Sequence, residues 1–89
     1  MYIAKVIGNV VTTQKNENLM GKKLLIVQPL DIKYLPQGEC EVAVDSVGAG
    51  EGEIVLVVSG SSAKGVFDSP NSPIDRAIVA IVDSIGTSL

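Results

Sequence analysis

Histidine and tryptophan are both absent from this 89-residue chain, and a single cysteine, Cys40, accompanies only two tyrosines and one phenylalanine. Without histidine the chain lacks the commonest general base, the commonest transition-metal ligand and the usual partner of a nucleophilic serine or cysteine. One cysteine cannot form an internal disulfide, and Cys40 alternates with Val42 and Val44, so it reads as a small buried hydrophobe on a core face. No apolar run nears the roughly 18 residues of a membrane-spanning helix, and the N-terminus lacks the basic, apolar and small-residue order of a signal peptide. A soluble cytoplasmic protein with no membrane partner is expected. Basic excess is missing as well: seven basic and ten acidic residues are interspersed to give a net charge of −3, which argues against nucleic acid as a partner.

What the chain does have is aliphatic residues in short runs. It is 46% hydrophobic, almost wholly through Val, Ile, Leu and Ala, and such runs build sheets readily. Alternation predicts a first strand over residues 2 to 12, with Tyr2, Ala4, Val6, Gly8 and Val10 on one face and Lys5, Asn9, Ile3, Ile7 and Val11 on the other. A second strand is expected from Lys22 to Gln28, ended by Pro29, which withholds a ladder donor. The third runs from about Cys40 to Val47, the fourth from about Glu53 to Ser59 and the fifth from about Ala77 to Ile85. Residues 13 to 21, 31 to 39 and 67 to 73 are polar or rich in turn residues and read as loops. Gly60, Ser61 and Ser62 offer a break and helix caps, so one helical turn through Ala63 and Lys64 is expected.

Five strands with short helical turns and no long helix predict an all-β fold, a small five-stranded Greek-key barrel of the OB type, with a sandwich as the alternative. The whole chain, 1–89, is expected to form one domain. A domain this short buries only about 60 to 65% of its unfolded surface, so part of its stability should come from association. Ile54 to Val58 and Ala77 to Val82 are aliphatic on both faces, whereas a barrel has one inside. The surplus faces of the first, fourth and fifth strands are therefore expected at a subunit interface.

Several patterns could carry chemistry. GAGEGE suggests a phosphate-binding loop, but a strand follows it where such loops need a helix. Ser61 to Lys64 has the S-x-x-K spacing of a serine nucleophile with a lysine base, yet the SDN and KTG companions are missing and capping explains the serines. The carboxylates Asp45, Glu51, Glu53, Asp75 and Asp83 show no spacing that marks an acid–base pair or a cation site; they read as solvated charge or as inter-subunit partners of Lys64 and Arg76. The OB-like outline also suggests a binding module for nucleic acid or a small ligand, for which Tyr2, Tyr34 and Phe67 make a scattered stacking set without a basic cluster. No metal or cofactor site is expected, and no catalysis.

The segments IAKVIGNVVTTQK, GKKLLIVQPL, DSVGAGEGE, SGSSAK and PIDRAIVAIVDSI, in this order, resemble the EutN/CcmL family of bacterial microcompartment vertex proteins over nearly the whole chain. That resemblance implies a five-stranded barrel assembling into a homopentamer that closes a fivefold vertex of a polyhedral shell, next to hexameric shell proteins. It also implies a structural role without cofactor, in the propanediol or ethanolamine type of catabolic compartment. The family's VGAGxGE turn falls on Val47, Gly48, Ala49, Gly50, Gly52 and Glu53, and its GSSA turn on Gly60, Ser61, Ser62 and Ala63. Lys64 stands where the family usually has arginine, keeping the charge without the bidentate geometry. Pro73, Ile74 and Asp75 match the P-[IV]-D element, with Arg76 following, and Ile81, Val82 and Asp83 match the closing IVD. Gly48, Ala49, Gly50, Gly52, Gly60, Ser61, Ser62, Ala63, Lys64, Asp75 and Arg76 are the implied candidates for the subunit interface or a central opening.

Overall fold

In the computed structural model, which describes residues 1–13, 15–67 and 73–88, the aliphatic runs form five strands that close on themselves. They are β1 (Tyr2–Val10), β2 (Lys23–Leu30), β3 (Glu41–Asp45), β4 (Ile54–Ser59) and β5 (Arg76–Ile81), with a helix α1 (Ser61–Val66) between β4 and β5. The order around the barrel is β1-β2-β3-β5-β4. Every pairing is antiparallel except β3 with β5, which is parallel and short, Val44 opposite Ala77 and Asp45 opposite Ile78. The expected OB-like barrel is thus the observed fold. Of the 67–73 loop, residues 68–72 lie outside the described residues.

The interior is narrow and is filled by side chains of alternating size. Ala4, Val6, Leu25, Val27, Ala43, Ala49, Val55, Val57 and Ile78 form one buried cluster, with Leu25 opposite Ala43 in the β2–β3 ladder. Small residues facing large ones are what a five-stranded lumen can hold at close-packed density. A second cluster lies outside the barrel wall. There Val44, Val58 and Ala77 point outward and meet Ala63 of α1 and Ile74, with Leu19, Leu24, Phe67 and Val79 at the edge.

Four expectations are corrected by this arrangement. Pro29 does not end β2: it pairs with Ala4, while its carbonyl accepts from the Gln37 amide at 2.9 Å on the opposite side. The missing donor therefore points away from β1, beyond the end of β3, where no ladder bond is lost. Strict alternation in β1 breaks at a bulge, because Val6 pairs with Val27 and Gly8 with Ile26; Ile7 is the extra residue, and the phase reverses after it. In β3 the inward residue is Ala43, so Cys40 and Val42 fall on the outside. Cys40 is exposed and free, its thiol donating to Gln28 Oε1 at 3.2 Å. Finally, the cap of α1 is Gly60 rather than a serine, with φ 66° and no side-chain cap bond.

Candidate functional site

The glycine turn between β3 and β4 is shaped by the two carboxylates that flank it. Asp45 Oδ1 accepts from the Val47 amide at 3.1 Å and Oδ2 from the Ala49 amide at 3.0 Å. Glu53 Oε1 accepts from the Gly50 amide at 2.7 Å. Within the chain these two half-buried carboxylates act as turn clamps, a role the sequence reading did not assign them. Gly48 and Gly52 have φ of 79° and 88°, a region that costs other residues a Cβ clash. Gly50 has no positive φ, and a Cβ there would meet only Glu53 Oε1 at an ordinary 3.5 Å. Ala49 is fully buried and closes one mouth of the barrel, its carbonyl accepting from Lys23 Nζ at 2.8 Å. The turn is also stitched to β1 through Val6 N to Glu53 O at 3.0 Å and Gly52 N to Val6 O at 2.8 Å.

The second turn lies at the far end of β4, about 17 Å away at the rise of an extended strand. The Gly60 amide donates to Asp75 O at 3.0 Å, and the Ala63 and Lys64 amides donate back to Gly60 O. Ala63 is buried beneath α1, whereas Ser61 and Ser62 are exposed and Lys64 is half-buried. The structure thus brings Gly60, Ser61, Ser62, Ala63, Lys64, Asp75 and Arg76 together and leaves Gly48, Ala49, Gly50 and Gly52 at the other end. Ala49 and Ala63 face their own core, so the surfaces available to a neighbour at the two ends are made by the glycines, the serines and Lys64.

Beside the second turn, three strands meet in a polar latch that sequence reasoning missed. Tyr2, Glu41 and Arg76 share the inward phase with Ala4, Ala43 and Ile78, but sit at the strand ends. The Tyr2 hydroxyl donates to Glu41 Oε2, and Arg76 Nε donates to the same oxygen at 3.1 Å. Arg76 Nη1 also donates to Asp75 O at 2.9 Å and approaches Asp75 Oδ2 at 3.7 Å. Burial, with the Glu41 hydrogen bond and charge adding to it, pushes the Tyr2 phenol well above the usual tyrosine range. Burial alone would lower the Arg76 value, but the charge and hydrogen bond of Glu41 raise it. The available signal was polar residues falling on inward positions at the ends of three strands. The latch closes the mouth opposite Ala49, so the barrel is plugged at both ends.

Among the described residues no group of three His, Cys, Asp or Glu side chains is placed to hold a metal ion. The aromatic residues do not form a platform. Tyr2 is committed to Glu41, Phe67 packs at the second cluster with Lys22 Nζ 5.6 Å from its ring centre, and Tyr34 is exposed in the 31–36 turn.

The family model described as ethanolamine utilisation protein EutN/carboxysome matches residues 1–83. The bacterial microcompartment shell vertex protein GrpN of Rhodospirillum rubrum (strain F11) is 54% identical over 87 residues, 98% of each chain. The vertex protein PduN of Salmonella typhimurium is 52% identical over 89 residues, covering 96% of this chain and 98% of its own. The solved structure of the GrpN pentameric microcompartment shell protein from Rhodospirillum rubrum superimposes with a TM-score of 0.89 at 54% identity, over 98% of this chain and 99% of that one. By that match along almost all of its length, and by the barrel it forms, this chain belongs to the EutN/CcmL family.

Proposed function

We infer that this protein is a structural subunit of a bacterial microcompartment shell, a homopentamer that caps the fivefold vertices of a polyhedral shell of catabolic type. The observation that carries this is the end-to-end match, in sequence and in fold, to a shell protein described as pentameric. The 89 residues act as one vertex domain whose partners are its own copies and the hexameric shell proteins around the vertex, with neither nucleic acid nor membrane involved. Catalysis and cofactors have no part in it. Supporting that, Asp45 and Glu53 are spent on backbone amides and Glu41 on Tyr2 and Arg76.

The residues we assign to the interface or to an opening on the axis are Gly48, Gly50 and Gly52 at one end of β4 and Gly60, Ser61, Ser62, Lys64, Asp75 and Arg76 at the other. Ala49 and Ala63 support these turns from inside. The binding-module alternative is disfavoured by a lumen filled with side chains and by aromatics that are dispersed. Substituting both exposed serines, Ser61→Asp with Ser62→Asp, tests the placement. Ten added carboxylates in a pentamer should lower assembly if these turns converge on the axis. Unchanged pentamer mass and thermal stability would remove the assignment.

A further inference from the structure

The ladder between β3 and β5 is the shortest of those that close the barrel: it sets Val44 opposite Ala77 and Asp45 opposite Ile78 and extends no further. It is also the parallel one, and parallel pairing is slightly weaker per residue. If this ladder alone parts, the remaining order is β3-β2-β1-β4-β5, an unbroken antiparallel sheet. Opening there costs one short ladder and leaves the others whole. Both faces of the seam are apolar. Ala43 and Ile78 belong to the lumen cluster, and Val44 and Ala77 to the cluster beneath α1, so a parted seam would admit water to both at once.

Side chains hold the two strands together where the ladder does not. Past its far end, the Ser46 hydroxyl donates to Ile78 O at 2.6 Å and the Ser46 amide to the same oxygen at 3.3 Å. Before its start, Glu41 lies three residues ahead of Val44 and Arg76 one ahead of Ala77, beyond the reach of the ladder. Arg76 Nε spans that gap to Glu41 Oε2 at 3.1 Å. The Tyr2 hydroxyl of β1 donates to the same oxygen, so one carboxylate gathers three strands. With their side chains 32% and 31% exposed, Arg76 and Glu41 are partly withdrawn from water, which strengthens a charged hydrogen bond over one on an open surface. The Asp75 carbonyl continues the linkage, accepting from Arg76 Nη1 at 2.9 Å and from the Gly60 amide at 3.0 Å.

We propose that the β3–β5 seam is the point at which this barrel opens, and that Glu41, held by Tyr2 and Arg76, is the clasp that keeps it shut and steadies the Gly60 turn with it. Such an opening is a property of the single chain and does not depend on the homopentamer. Amide exchange resolved by residue tests it, on the purified protein unsubstituted and as Glu41→Gln. In the unsubstituted chain the amides that donate across the seam, that of Ser46 among them, should exchange at least about tenfold faster than the slowest amides of the β1–β2 ladder. Their dependence on added denaturant should lie between that of a local fluctuation and that of global unfolding. Glu41→Gln should speed exchange at the seam and at the Gly60 amide by about a further tenfold. The slowest β1–β2 amides should gain by the same factor, since global unfolding also breaks the clasp. Where Glu41→Gln loses its native circular dichroism, Tyr2→Phe takes its place. Seam amides that exchange no faster than the slowest β1–β2 amides in the unsubstituted chain would overturn the opening. Seam rates that the variant leaves unmoved would overturn the clasp, and a Gly60 rate that stays fixed while the seam quickens would overturn its link to the turn.

Discussion

Within the glycine turn the three glycines have different duties. Gly48 and Gly52 hold positive φ, so Gly48→Ala or Gly52→Ala should destabilise the folded chain by about 1–2 kcal/mol. Gly50 is under no such constraint; Gly50→Ala should leave chain stability unchanged, which makes any loss of assembly in that variant a report on the neighbour. Denaturant melts at low concentration, paired with mass measurements, separate the two effects. At the opposite mouth, Tyr2 offers a test through pH. Its phenol titrates higher in the folded chain than the value of 10.0 it has when free, so the folded state binds its proton more tightly. The resulting stabilisation is complete below about pH 10 and is lost as pH rises through the folded value. Tyr2→Phe should flatten that alkaline loss of stability, and a variant that retains the full slope would show that the Tyr2–Glu41 bond does not couple to folding.

Among the elements, the strands were legible because aliphatic alternation and flanking turn residues mark them directly. All five lie where the periodicity puts them, within a few residues at each end. What the sequence could not show was which side of a two-sided aliphatic strand faces in, and what covers the other side. Cys40, Val42 and Val44 alternate as convincingly as Ala43 does with its neighbours, yet the lumen opposite Leu25 has room only for the alanine. In β4 the outer face looked like surplus for a partner, whereas Val58 is 8% exposed because α1 of the same chain covers it. Six residues of helix were hard to foresee, since Gly65 and the serines at its start have low helix propensity. Ala63 settles the matter by anchoring the helix on the second cluster. Consequently Val57→Asp and Val58→Asp should both unfold the chain, each placing a carboxylate in an apolar cluster at a cost of roughly 4 kcal/mol or more. Circular dichroism that stays native for either would contradict the burial seen here. The candidate turns were found by resemblance, but the latch of Tyr2, Glu41 and Arg76 was not, because it joins positions 39 and 35 residues apart.

At the scale of the whole molecule, the chain is a small barrel sealed at both mouths, with one cluster in its lumen, a second between its wall and α1, and apolar faces left on its outer walls. Its lumen is a packed core, so any passage through a shell at this protein would run between subunits and not through a barrel. Exposed aliphatic rows on so short a chain favour association, and the family to which it belongs contains a structure described as pentameric. The most direct test is the mass of the purified, unsubstituted chain by sedimentation equilibrium. Five times the 9.3 kDa subunit mass is the expected result, unchanged over a wide range of concentration; a single-subunit mass, or any multiple other than five, would contradict the assignment of this protein to a fivefold vertex.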